Sequence, residues 1–311
     1  MAPFRILSLD GGGIRGVITT VLLQRLSTHI GLAGWLDKVD LIAGTSTGGL
    51  LALGLAYGLD LQEIRDLYEK KGEVVFDDSW LDDLIDLGQF VGAQYDNDKL
   101  VQELMSRFQQ TTLKQLSKKV LIPSFDLDDK ADRTKRTWKP KLFHNYPGED
   151  SDGDELVYKV GLYTSAAPTY FPSVDGYVDG GVYANNPSMC ALAQALDPRF
   201  GKNSLTEISL LSVGTGTSLV YIEDEDGGHN WGYIAWVKPL INLMLDGVSG
   251  IADYQCKQLL DNKYHRLSPV FDPGISLPLD AVDRVPDMVD IAETYDISET
   301  VEWLKNQWMI D

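Results

Sequence analysis

Twice within its first 60 residues the chain passes from a short apolar strand through a glycine-rich turn into a helix. That repeated step restricts it to parallel strands with helices packed on the sheet faces. Residues 4–9, Phe-Arg-Ile-Leu-Ser-Leu, read as a buried strand that ends in a run of glycines. Over residues 17–30, Ile18, Leu22, Leu26 and Ile30 recur every four positions, the helical period. Residues 39–43 read as a second strand, residues 44–49 as a second glycine-bearing turn, and residues 50–57 as an apolar, small-residue helix buried on all sides. Further apolar runs at 120–127, 156–163 and 208–213 read as strands, with helical patterns between and after them. Near the C-terminus Asp296 is placed to N-cap a last helix, with Glu299 three residues on and Val301, Leu304 and Trp308 along one face. The expected fold is α/β, in three layers with a mainly parallel central sheet. No repeat, low-complexity tract or linker interrupts the chain, so residues 1–311 are expected to form one domain.

Charge narrows the partners. Among 311 residues, 46 Asp and Glu stand against 27 Lys and Arg, a formal charge of −19. That excess disfavours nucleic acid, whose phosphates call for clustered cations, and strong adhesion to anionic lipid. Cys190 and Cys256 show neither CxxC nor Cys/His spacing, so no disulfide framework or zinc site is expected. The N-terminus lacks the basic and apolar regions of a signal peptide. The most apolar stretch, residues 231–251, is broken by Lys238, Pro239, Asn242 and Asp246 and does not read as a membrane span. The expectation is a cytoplasmic protein, at most peripheral at membranes. Acidic clusters at 77–86, 149–155 and 223–226 invite a calcium reading, but Glu155 follows Asp150, Asp152 and Asp154 where a calcium loop needs glycine. They read as solvated loops, and no metal or other cofactor is expected.

The first turn, Asp10-Gly11-Gly12-Gly13-Ile14-Arg15-Gly16, matches G-x-G-x-x-G between a strand and a helix, the context of a dinucleotide fingerprint. Asp10 would repel a pyrophosphate, however, and the second strand ends in Gly44-Thr45-Ser46 rather than in an acidic residue for a ribose. The loop also offers backbone N–H groups at a helix N-terminus to a developing oxyanion. The second turn, Gly44-Thr45-Ser46-Thr47-Gly48, is an intact G-x-S-x-G between a strand and a helix, the setting of a nucleophile elbow. Two bases compete for Ser46. His229 or His265 would complete the order Ser, Asp, His; Asp179, in Tyr177-Val178-Asp179-Gly180-Gly181, is a carboxylate at a strand end. His29 and His144 lie beside apolar patterns and read as structural.

The three blocks Asp10 to Gly16, Gly44 to Gly48 and Asp179-Gly180-Gly181, in that order, resemble the patatin-like phospholipase family, as does the segment from Ser165-Ala166-Ala167-Pro168 to Phe171-Pro172. The resemblance covers roughly residues 4–215, with C-terminal helices to 311. It implies lipid acyl hydrolysis by a Ser-Asp dyad without histidine, metal or cofactor. Carried over, Ser46 is the nucleophile, Asp179 the base, and the N–H groups of Gly11, Gly12 and Gly13 the oxyanion hole. Gly44, Gly48 and Gly180 support these turns, and Arg15 is expected to hold the loop's shape more than to touch substrate. The implied partner is a lipid or small ester at a membrane or micelle surface. Residues 231–245 read as an ordinary core helix under a loop or, alternatively, as a wall or lid for an acyl chain. Acyl transfer or thioester cleavage by the same dyad, a gated or non-catalytic lipid- or partner-binding module, and a dinucleotide-binding protein stand as alternatives.

Overall fold

The computed structural model describes residues 3–75, 98–223 and 232–310. Strands β1 (Phe4–Leu9), β2 (Leu41–Gly44), β3 (Lys119–Asp126), β4 (Lys139–His144), β5 (Tyr177–Asp179), β6 (Ile208–Val213) and β7 (Tyr264–Leu267) form one sheet. The helices are α1 (Gly16–Thr28), α2 (Thr47–Tyr57), α3 (Leu61–Val75), α4 (Asp98–Phe108), α5 (Val157–Ser165), α6 (Gly181–Ala184), α7 (Ser188–Leu196), α8 (Tyr233–Leu260), α9 (Val285–Thr294) and α10 (Ser298–Trp303). Because side chains alternate along a strand, neighbouring residues enter different cores. Leu7, Leu9, Ile42, Val120, Ile122, Leu211 and Val213 pack with residues of α1, α2, α5 and α9. Ile6, Leu41, Ala43, Leu121, Ile208 and Leu210 pack with residues of α7 and α8. Helices therefore cover both faces, in the three layers the sequence predicts.

The strand order is β4-β3-β2-β1-β6-β7, with β5 also on β3. All pairings among β3, β2, β1, β6 and β7 are parallel, while β4 and β5 run antiparallel to β3. Connections leave β1 toward β2 on one side, and β6 pairs on the other. The loop after β1 thus sits at a topological switch point, the crevice where open α/β sheets bind ligands. A second feature positions the site. β2 pairs with residues 119–121 of β3 and β5 with residues 124–126, both on the flank opposite β4. Since β5 is antiparallel, its C-terminal end points at the C-terminal end of β2. The two strands lie end to end, so the turns that leave them meet in the gap between.

Two expectations need correction. Residues 156–163 read as a strand but fold as α5. Val157, Val160, Gly161 and Thr164, all buried, recur at helical spacing, and an apolar run this short is ambiguous by pattern alone. At the C-terminus Asp296 accepts the Ser298 N–H at 2.9 Å and α10 begins there, but the last turns relax into a π-helix over Leu304–Trp308. It is docked as expected. Trp308 is fully buried, donates its indole N–H to the Trp35 carbonyl at 3.1 Å and gives its own carbonyl to Arg5 at 2.7 Å. The acidic run 77–86, Asp224 to Asp226, His229 and Trp231 lie outside the described residues. No helix among the described residues is long and apolar enough to cross a membrane.

Candidate active site

Ser46 stands between β2 and α2 with φ 54° and ψ −125°, a backbone conformation that costs a non-glycine residue about 1–3 kcal/mol. Several contacts hold it there. The Ser46 N–H donates to Thr164 Oγ1 at 2.9 Å, and Thr164 in turn donates to the Pro123 carbonyl at 2.6 Å. Thr45 Oγ1 donates to the Ala184 carbonyl at 2.6 Å. The turn is also tight because Gly48 presses α2 against β1; a Cβ there would stand 2.3 Å from the Leu9 carbonyl oxygen. Ser46 adjoins the N-terminal end of α2, which carries no side-chain cap, so the helix dipole favours negative charge beside its hydroxyl.

Asp179 closes β5 from the opposite direction. Its N–H donates to the Ala166 carbonyl at 2.9 Å, so the segment after α5 ties this strand end in place. Its carboxylate accepts the Gly181 N–H at 2.7 Å and lies beside the Ser46 side chain. Only 5% of the residue is exposed. Burial pushes its pKa up to about 6, and the Ser46 hydroxyl and the Gly181 N–H, which favour the ionised form, hold it from rising further.

The glycine loop completes the wall. Asp10 donates its N–H to the Val213 carbonyl at 3.0 Å, fixing the loop at the switch point. At Gly13, φ is +57° and a Cβ would stand 2.1 Å from the Leu279 carbonyl oxygen, so only glycine fits. The loop packs close to the serine, since a Cβ on Gly11 would lie 3.4 Å from that of Ser46. One part of the expected oxyanion hole is corrected: the Gly11 N–H is already donated to the Asn185 carbonyl at 2.9 Å. Among the described residues the N–H groups of Gly12 and Gly13 have no backbone acceptor.

The Asp10 carboxylate forms a two-point ion pair with Arg266, at 2.9 and 2.5 Å, and Arg266 also donates to Ser212 Oγ at 2.7 Å. Burial works against the Arg266 charge, yet the adjoining Asp10 carboxylate more than restores it, and the guanidinium pKa lies above its ordinary value. Arg15 lines the cavity beside Ser46, and its buried Nε has no hydrogen-bond partner among the described residues.

A cavity of 260 Å³ joins these groups. Gly11, Gly12, Gly13, Arg15, Asn185 and Asp179 surround Ser46 at one end. Ser165, Ala167, Pro168 and Phe171, from the segment singled out in the sequence, form one side, and Met244 and Leu245 of α8 reach it from the expected wall. None of the described histidines lines it. His265 donates to or accepts from Thr300 at 2.8 Å and stacks on Trp303, while His144 packs on Tyr146 and Phe200. The acidic loop 149–155 is engaged by cations instead of wrapping one: Asp150 pairs with Arg199 at 3.1 Å, Asp152 with Lys141 at 2.5 Å, and Asp154 with Lys114. At Gly44 and Gly180 an added Cβ would run into backbone oxygens at 2.1 and 2.4 Å.

Sequence reasoning missed Thr164, Asn185 and Arg266, which lie outside the motifs and act through contacts distant in the chain. Thr164 carries an expected outcome. Thr164→Val keeps the shape but strands the Ser46 N–H, and should slow reaction of Ser46 with a fluorophosphonate by roughly tenfold, with recovery in Thr164→Ser. Equal rates in both variants would show that the hydroxyl does not hold the turn.

Fold and site together define a three-layer α/β protein that carries a serine on a strained strand-to-helix turn, beside a buried carboxylate. Residues 7–192 match the sequence model of the family described as patatin-like phospholipase. A protein of Pseudomonas aeruginosa named cGAMP-activated phospholipase is 31% identical over 293 residues, 91% of this chain and 83% of that one. One of the same name in Vibrio cholerae is 35% identical over 235 residues, and the match spans 64% of its length, just under two thirds. The putative sporulation hydrolase CotR of Bacillus subtilis is 28% identical over 99% of both chains. The chain belongs to the patatin-like phospholipase family.

Proposed function

We propose that the chain, acting as one domain, is a serine lipid acyl hydrolase of phospholipase A, lysophospholipase or carboxylesterase type, with Ser46 as nucleophile and Asp179 as its base. The observation that supports this most is the placement of Ser46 beside a carboxylate whose burial raises its proton affinity, both lining an apolar cavity. A pKa of about 6 suits a base working near neutrality better than an ordinary aspartate's. In this reading Asp179 takes the hydroxyl proton as Ser46 Oγ attacks the ester carbonyl carbon. The N–H groups of Gly12 and Gly13 receive the oxyanion. The intermediate collapses, the proton passes to the leaving alkoxide, and the alcohol departs from an acyl-serine. Water then gives a proton to Asp179 as its oxygen attacks the acyl carbon, and the second collapse returns a proton to Ser46 and releases the fatty acid.

Labelling tests the nucleophile. A fluorophosphonate should modify Ser46 alone, read by peptide mass spectrometry, and hydrolysis of p-nitrophenyl octanoate and of phosphatidylcholine vesicles should fall in step with labelling. An adduct elsewhere, or full turnover in fully labelled protein, would overturn the assignment. Because two relatives are named for activation by cGAMP, each assay is run with and without it. An added alcohol acceptor separates hydrolysis from acyl transfer, which alone yields a new ester.

A further inference from the structure

The cavity continues well past Ser46. It runs beside α2, where Thr47, Leu50, Leu51 and Gly54 line it from one helical face, and reaches Leu59, Ile64 and Phe108. Contacts give the levels along it. A Cβ on Gly161 would touch Leu50 at 3.1 Å and Leu104 at 3.3 Å, so Leu104 of α4 stands beside the early turns of α2. One turn further along α4, Phe108 meets Tyr57 edge-on with ring centroids 5.4 Å apart, at the C-terminal end of α2. From Ser46 to Gly54 the helix rises about 12 Å, the reach of an extended chain of about eight to ten carbons. Arg107 and Glu103, paired at 3.1 Å, also border the cavity, and Arg107 adjoins Phe108 at the far level. A longer chain would be driven against that ion pair and strip it of water.

Gly54 is where packing leaves a choice. At Gly44 and Gly48 an added Cβ would run into backbone at 2.1 and 2.3 Å, so those glycines are demanded by the elbow itself. At Gly54 the nearest atoms would be Ile64 Cδ1 at 3.3 Å and Leu59 Cδ1 at 3.5 Å, the ends of flexible side chains. Alanine would fit there with a small shift of Ile64, and helices favour alanine over glycine. Ile64 and Leu59 line the passage with Gly54, so a larger side chain at this level would push them into it. We propose that this stretch is the acyl-chain channel and that Gly54 sets its usable length, selecting esters of medium-chain acids of about ten carbons. The inference rests on the reading of Ser46 as nucleophile.

The test is the chain-length profile of kcat/KM for p-nitrophenyl esters from butyrate to palmitate, for wild type, Gly54→Ala and Gly54→Leu. Each is first titrated with a small fluorophosphonate that needs no channel. Every buried methylene contributes roughly fourfold, so Gly54→Leu should lower the decanoate-to-butyrate ratio by at least about tenfold and move the maximum to shorter chains. Gly54→Ala should shift it in the same direction by about one methylene, roughly fourfold. Labelled variants whose profiles superimpose on wild type would overturn the proposal, as would a labelled wild type with a flat profile. If Gly54→Leu does not label, it has not kept its fold and the alanine variant decides. A wild type that neither labels nor hydrolyses removes the nucleophile reading and the channel with it.

Discussion

Asparagine at position 179 should remove most turnover while making the protein more stable at pH 8. The loss, roughly a thousandfold in kcat for ester hydrolysis, arises because the amide cannot accept the Ser46 proton, although it can still accept the Gly181 N–H. Ser46→Ala should cost about as much, and the double variant hardly more, since the two act as one unit. The stability gain has the opposite source. Burial lifts the folded carboxyl to about 6 from an ordinary value of 3.8, so between those pH values the folded state holds the proton more firmly than the unfolded chain. Stability therefore falls as pH rises through that window, by roughly 3 kcal/mol once both states are ionised. Asparagine carries no such charge. Calorimetry should find Asp179→Asn melting above wild type at pH 8, with the difference closing near pH 4. The same group sets the rate profile: wild-type kcat/KM should fall about tenfold per unit below pH 6 and level off above it. A variant that keeps wild-type turnover, or that melts lower at pH 8, would contradict this account.

Arg266→Met should be the most damaging single change outside the reacting pair. It leaves Asp10, 3% exposed, as a buried carboxylate without its counter-ion, a situation that costs about 3–5 kcal/mol. In a chain of this size that is roughly 5–8 °C in melting temperature. The sign with pH is diagnostic. Without Arg266, burial raises the Asp10 pKa above its unfolded value, so the variant should recover stability as pH falls and Asp10 takes a proton. Arg266→Met combined with Asp10→Asn should regain much of the loss at neutral pH. If the double variant melts no higher than the single one, the defect lies in packing rather than in the stranded charge.

The glycines, Ser46 and Asp179 were legible because each must occupy a turn after a strand, and turns leave a local signature. The short buried strands β1, β2, β3 and β6 were legible as apolar runs bounded by turns. Leu156 to Tyr163 was not, because a nine-residue helix buried on most sides presents the same apolar run as an inner strand. Nor was the use of Gly11: nothing near it in the chain announces that the Asn185 carbonyl will take its N–H. Asp10 is the instructive case. Its sequence position suggested repulsion of a bound phosphate, whereas its charge is answered by Arg266, about 250 positions away. That Asp179 would stand beside Ser46 likewise depended on pairing with β3, which no local pattern encodes.

The end-to-end placement of β2 and β5 on one flank of β3 also has a kinetic meaning. Ser46 and Asp179 are about 130 positions apart, and they come together only after β3 has accepted both strands, one parallel and one antiparallel. Such non-local pairing forms slowly, because loop closure precedes any gain from contact. If Ser46 and Asp179 act as proposed, the capacity to attack an ester should arise late during refolding, and a chain with only β1, α1, β2 and α2 in place should be inert. Reactivity toward a fluorophosphonate would then serve as a clock for completion of the sheet.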